Sequence, residues 1–173
     1  MTKATGPLFT THFRRRRAGK TDFATRLALL KSGQPRLIVR KTNKNVIVQL
    51  AHFDAKGDKM IANVTSSSLR KMGFPGKCNT PSAYLCGAVA AKHALKKGAK
   101  SFVLDIGRQT ASNGSLLFAA AKGAIDAGLE GSFNEEKFPS MDRIRGKHLK
   151  PEVQEAFTKV SNEILKGAIK HGA

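Results

Sequence analysis

Four consecutive arginines, Arg14, Arg15, Arg16 and Arg17, are the densest chemical signal in the chain. A guanidinium presents a planar fork of donors that pairs bidentately with phosphate, so four in a row on an extended arm can follow a folded nucleic-acid backbone. Lys20, Arg26, Arg36, Arg40, Lys41 and Lys44 extend the signal, and Thr42 and Asn43 add neutral donors for sugar or phosphate oxygens. Phe9, Phe13 and Phe23 are interleaved with these cations. Aromatics interleaved in that way can stack on unpaired bases, a preferred mode of RNA recognition. Phe23 falls on a helical period and is expected to pack in the core instead.

Catalytic chemistry finds little support in the same residues. Gly19-Lys20-Thr21 ends like a phosphate-binding P-loop, but that motif needs a glycine where Arg14 stands and a strand before it. Asp105 closes an apolar run just before Gly107, a place where α/β enzymes often keep a functional carboxylate. Metal-assisted phosphoryl chemistry would need several acids converging there. Asp54 and Asp58 lie in a turn and Asp126 late in a helix, so Asp105 reads as a structural hydrogen-bond acceptor. His12, His52, His93, His148 and His171 are scattered without ligand spacing, and Cys78 and Cys86 form neither a ligand set nor a disulfide framework. Ser66 to Ser68, Ser112 and Ser115 lack the nucleophile-elbow context. The expectation is a protein that is not an enzyme and holds no cofactor or metal.

Charge is strongly segregated. The chain has 31 Lys plus Arg against 12 Asp plus Glu, a net of +19. Residues 1–100 carry 21 basic and 3 acidic side chains, whereas residues 101–173 carry 10 and 9. A surface charged only for solubility would mix signs along its length; a surplus in one half calls for an anionic partner. The basic arm lacks the amphipathic pattern of a membrane-surface helix. No apolar run reaches the roughly 18 residues of a membrane span, and no signal-peptide pattern opens the chain. The default reading is a reduced, cytoplasmic protein without a membrane partner.

The elements that position these residues follow from pattern. Leu, Ile, Val and Phe make up 41 of the 173 residues, above the roughly 20% below which a charged chain stays disordered. Residues 1–20 read as an extended basic arm, broken by Gly6-Pro7 and Ala18-Gly19. Thr21 or Asp22 can cap a helix with Phe23, Leu27 and Leu30 on one face, stopped by Gly33 and Pro35. Three β-like runs follow, Arg36 to Lys41, Val46 to Phe53 and Lys59 to Thr65, joined by short Asn- and Asp-rich turns that favour an antiparallel meander. A short helix is predicted at Ser66 to Met72. Thr80 as cap and Pro81 as first residue open a small-residue helix to Lys97. Ser101 to Ile106 reads as a buried strand and Ser115 to Ala127 as a second small-residue helix. Residues 129–150 look irregular, and Pro151 opens an amphipathic helix with Val153, Phe157, Val160, Ile164 and Ala168 on one stripe. The fold class is α/β, a β-β-β-α-β-α core with mixed sheet and helices. It divides into the arm at 1–20, the core at 21–130 and a helical C-terminal extension at 131–173.

Several stretches together resemble one family. Phe13 through Phe23, Pro35 through Lys44, Val46-Ile47-Val48-Gln49, Asn79 through Leu85, Val103 through Gly107 and Gly123 through Leu129 occur in its order. Phe138-Pro139-Ser140 and Arg143 through His148 complete the set. They resemble the archaeal form of the 5S rRNA-binding protein of the large ribosomal subunit, L-eighteen in bacteria and L-five in eukaryotes, over about residues 8–150. The resemblance implies a scaffold that anchors 5S rRNA to the large-subunit rRNA in the central protuberance, beside neighbouring ribosomal proteins that include the other 5S rRNA-binding protein. It places RNA contacts on Arg14 to Arg17, Lys20, Thr21, Arg36, Arg40, Lys41, Thr42, Asn43 and Lys44. Relatives often carry several basic residues after Asp105-Ile106-Gly107; here only Arg108 remains. Two readings from other classes stay beside it: a general nucleic-acid binder without 5S preference, and a metal-dependent nuclease resting on Asp105 alone.

Overall fold

Apolar side chains on alternate residues of three strands build one face of a sheet, and two helices rich in small residues cover it. A computed structural model describes residues 6–165 of the chain. Strands β1 (Arg36–Lys41), β2 (Val46–His52) and β3 (Lys59–Thr65) form an antiparallel meander, and β4 (Val103–Asp105) adds to β1 in parallel, giving the order β3-β2-β1-β4. Leu37, Val39, Val46, Val48, Leu50, Ala62 and Val64 point to one side and are buried. The β1–β2 turn is closed by Thr42, whose hydroxyl accepts from the Asn45 amide and donates to the Asn45 carbonyl, both at 2.9 Å.

Helices α3 (Thr80–Lys96) and α4 (Leu116–Asp126) lie over that face. A methyl on Gly87 would run into the Ala120 carbonyl, and one on Gly123 into the Tyr84 carbonyl, so the two helices cross in backbone contact. Small side chains are therefore a packing requirement here. Short α5 (Met141–Arg145) and α6 (Pro151–Leu165) pack against the other side of α3. Phe157, Val160 and Ile164 bury the stripe of α6, with Phe157 against Tyr84 at 5.7 Å between ring centroids. The Tyr84 hydroxyl donates to Asp126 at 2.8 Å; burial and that carboxylate raise its pKa far above the ordinary phenol range.

The mixed sheet, the α/β class and the β-β-β-α-β-α order agree with the sequence reading. Several local expectations change. Arg14–Arg17 coil into one helical turn, α1, where an extended arm is expected. The cap of α3 is Asn79, whose side chain accepts from the Ser82 amide at 3.0 Å, which moves Thr80 and Pro81 to the first and second helical positions. The strand expected over Ser101 to Ile106 shrinks to three residues at the sheet edge, where Val103 and Leu104 are only half-buried because β1 is their single neighbour. The irregular stretch contains α5, ended by Gly146. Helix α2 (Phe23–Lys31) forms as predicted and is capped by Asp22, but none of its residues is buried, Phe23 included. Its period describes an apolar face that the rest of the described chain covers only in part, with Leu30 half-buried and Phe23 and Leu27 exposed. Lys3 of the arm and Ala168 of the last stripe lie outside the described residues.

Candidate nucleic-acid interface

The register of β1 against β4 decides what several of the arginines do. Ile38 stands opposite Asp105, which places the carboxylate between Arg36 and Arg40 on the sheet face away from α3 and α4. Arg36 Nη1 donates to Asp105 Oδ2 at 3.1 Å and Arg40 Nη2 to Oδ1 at 2.7 Å. Asp58, from the β2–β3 turn, takes the other arm of Arg36 at 2.6 Å and Arg26 of α2 at 3.0 Å. The result is an alternating ladder, Arg26–Asp58–Arg36–Asp105–Arg40, that runs from α2 across the sheet. Asp105 also accepts from the Gly107 amide at 2.9 Å. Gly107 has φ +65° and a Cβ there would lie 2.9 Å from the Arg40 guanidinium carbon, so glycine lets that group lie against the β4–α4 loop.

Asp105 thus serves as the structural acceptor expected from the sequence. Arg36, expected as an RNA contact, has a side chain 1% exposed and held between two carboxylates. Arg26 and Arg40, 39% and 38% exposed, are paired on one side and open on the other. The remaining expected residues are on the surface. Arg14 to Arg17 and Lys20 are exposed along α1 and the turn after it, and Lys41, Thr42, Asn43 and Lys44 form the exposed β1–β2 tip. Arg15 folds back to donate from Nε to Thr21 Oγ1 at 2.8 Å. Asp22 accepts from the amides of Ala24 and Thr25 and from the Thr25 hydroxyl, and the Thr25 hydrogen bonds hold its carboxyl below the usual range.

These pieces meet around the β4–α4 loop. A cavity of about 310 Å³ gathers Arg15, Lys20, Thr21, Arg26 and Arg40, which the sequence spreads over 26 positions. A second, of about 540 Å³, is bounded by Arg16, Thr21 and Phe23. A third, of about 340 Å³, lies beside Lys41. Arg108 lines all three and links the arm side to the tip side. Sequence reasoning misses Arg108 as a candidate because it is the lone cation of its loop. The signal that could have found it is its position directly after Gly107, at the end of a sheet strand where the chain turns toward a helix.

The chemistry of this surface is cationic and neutral-donor. Among the described residues no group of three or more His, Cys, Asp or Glu could hold a metal ion, and no helix is long and apolar enough to cross a membrane. Both cysteines are free thiols; burial pushes the Cys86 pKa up to about 12.

Comparison with known proteins identifies the setting. A family model described as ribosomal large subunit proteins 60S L5 and 50S L18 matches residues 8–101, which include most of the arm, the three-stranded meander and α3. A large ribosomal subunit protein uL18 from Methanoregula boonei is 44% identical over 96% of this chain and 97% of its own length. The uL18 of Korarchaeum cryptofilum is 51% identical over 79% of this chain and 71% of its own. The uL18 of Methanospirillum hungatei is 44% identical over 84% of both chains. These relatives are ribosomal constituents, not enzymes, and they work on the cytoplasmic ribosome. With the match running nearly end to end in one of them and past half of the chain in the family model, the chain belongs to the family of ribosomal large-subunit proteins that includes 60S L5 and 50S L18.

Proposed function

We propose that this protein binds 5S rRNA and anchors it to the large-subunit rRNA in the central protuberance. The observation that carries this reading is the gathering of arm, helix and loop cations around Arg108 on a chain of the large-subunit family. Arg14 to Arg17, Lys20, Lys41 and Lys44 replace condensed counterions along the RNA backbone, which supplies affinity. Thr42 and Asn43 at the tip, and Arg40 held by Asp105, supply shape, with Arg26 a further cation beside them, because contacts to phosphate and sugar position a protein without reading sequence. Arg36 acts from below, by orienting Asp105 and through it Arg40. The near-neutral C-terminal part faces neighbouring proteins of the protuberance, among them the other 5S rRNA-binding protein, with fewer RNA contacts.

Competition for labelled 5S rRNA at moderate salt tests the proposal, with unlabelled 5S rRNA, bulk tRNA and duplex DNA as competitors. Displacement by 5S rRNA alone is expected. Equal displacement by all three would make the basic surface a general polyanion binder and overturn 5S recognition.

A further inference from the structure

Two of the cavities beside the β4–α4 loop are neighbours that share Thr21, Asp22, Gly107, Arg108 and Gln109, yet their outer walls differ in kind. The larger opens on the Phe23 ring, with Arg16 and Arg108 beside it. The smaller is lined by Arg15, Lys20, Arg26 and Arg40, and by Asp22 and Asp105, whose carboxylates are already engaged by Thr25 and by Arg36 and Arg40. One cavity therefore has an aromatic ring and two arginines in its wall, and the other has cations in excess of carboxylates. A nucleotide has the matching division, a flat base at one end and a phosphate at the other. We infer that this double cavity is a receptor for one unpaired nucleotide of the bound RNA, its base on Phe23 and its phosphate toward Arg15, Lys20 and Arg40. The inference rests on the RNA-binding reading above and deepens it.

The surroundings support an RNA occupant. Phe23 is 40% exposed and Phe13 80%, their ring centroids 6.3 Å apart, and α2 buries no residue, so the two rings meet each other and keep open surface beside the cavity. An apolar protein surface laid on Phe23 would strip water from Arg16 and Arg108 without pairing them, which is costly. A base stacks on the ring and its backbone phosphates pair the guanidiniums. The volumes, about 540 and 310 Å³, fall in the range of roughly 300–1,000 Å³ typical of small-ligand sites. The cationic end does not depend on a helix terminus, because Asp22 already occupies the first amides of α2. Gly19 keeps the arm close to the loop: a Cβ there would lie 3.0 Å from Arg108 Nη1. The Gly19-Lys20-Thr21 tripeptide, which fails as a P-loop, thus still borders a phosphate position.

The test compares Phe23→Leu, Phe23→Ala and Phe23→Tyr in the full chain, with 5S rRNA and with single-stranded poly(U) as probes. Because α2 buries nothing, the variants are expected to fold, and circular dichroism checks this. Loss of one stacked base is expected to weaken binding roughly 5- to 150-fold in Phe23→Leu and Phe23→Ala. The log–log salt slope should stay unchanged and Phe23→Tyr should restore affinity. Ultraviolet cross-linking of the wild-type complex should leave one nucleotide on the tryptic peptide Thr21–Arg26. Leucine serving as well as phenylalanine, or no cross-link on that peptide, would overturn the inference and point to an apolar protein contact. Displacement of RNA by adenosine or uridine monophosphate at millimolar concentration would reassign the cavity to a free nucleotide. If 5S preference fails while the Phe23 effect persists on poly(U), the 5S proposal falls and the receptor stands; no binding to either RNA removes both.

Discussion

Replacing Asp105 with alanine removes the carboxylate that holds two arginines and the Gly107 amide on the outer face of the sheet. Breaking a buried ion pair by deleting one partner typically costs ~3–5 kcal/mol, because the other charge stays buried uncompensated. The lower end applies here for two reasons. Arg36, 1% exposed, keeps Asp58 at 2.6 Å, and Arg40 has enough exposure to turn toward water. A loss of ~3 kcal/mol in a chain of this length lowers the melting temperature by roughly 6–12 °C. Denaturant unfolding followed by circular dichroism, with the slope m unchanged, reads the same loss as a shifted midpoint. Asp105→Asn should cost less than alanine, since one amide oxygen can still accept from Arg40 or Gly107. Combining Asp105→Ala with Arg36→Ala should show coupling of roughly 0.5–3 kcal/mol, as expected for residues in one ion-pair network. A drop under ~1 kcal/mol for Asp105→Ala, with no coupling, would show that water replaces the carboxylate and that the ladder does not hold the sheet edge.

Three further outcomes follow from other parts of the molecule. Gly123→Ala should destabilise by roughly 1–3 kcal/mol or more, because its methyl has only the Tyr84 carbonyl to move against; the denaturant midpoint checks this, and a neutral effect would mean that α3 and α4 separate freely. Replacing Arg14 to Arg17 by alanine should lower the log–log salt slope of rRNA binding by roughly 0.7–0.9 for each phosphate that the arm neutralises, and an unchanged slope would take the arm off the phosphates. In native protein at pH 8, iodoacetamide should label Cys78 slowly and leave Cys86 untouched until unfolding. Burial raises both thiols, Cys86 to about 12, and only the thiolate reacts; mass spectrometry showing early Cys86 labelling would contradict its burial.

The core was legible because its rules are local. Val46, Val48 and Leu50 alternate against Gln49 and His52, and that period assigns a half-buried strand. The alanine and glycine of α3 and α4 announce close packing before any contact is known. The charged network was not legible. Arg36 looks like any other cation in a basic half, and its partner Asp105 is 69 residues away, brought to it only by the parallel pairing of β1 with β4. Helix α2 shows the opposite failure. Its i, i+4, i+7 spacing gives the helix correctly, but a period says that a face is apolar, not that the fold supplies something to cover it. Arg108 escapes notice for a related reason: counting cations along the sequence undervalues one residue at a point where three surfaces meet.

Burial of Arg36 also changes how the basic half should be understood. Arg26, Arg36 and Arg40 share two carboxylates, so the ladder carries a net charge of only +1 although it contains three of the thirteen residues expected to meet RNA. Among those thirteen, the cations without a carboxylate partner sit at its two ends, on α1 with the following turn and on the β1–β2 tip. Helix α2 buries no side chain, so apolar packing contributes little to holding it, and the Arg26–Asp58 pair ties it to the sheet. Exposed pairs weaken with salt and buried ones much less. The Arg26 end of the ladder is therefore its soft end and the Arg36–Asp105 centre its rigid one. On the RNA-binding function proposed above, an arm mounted on the soft end adjusts to the RNA, while Arg40 and the tip, mounted on the rigid centre, hold the geometry to which the RNA conforms.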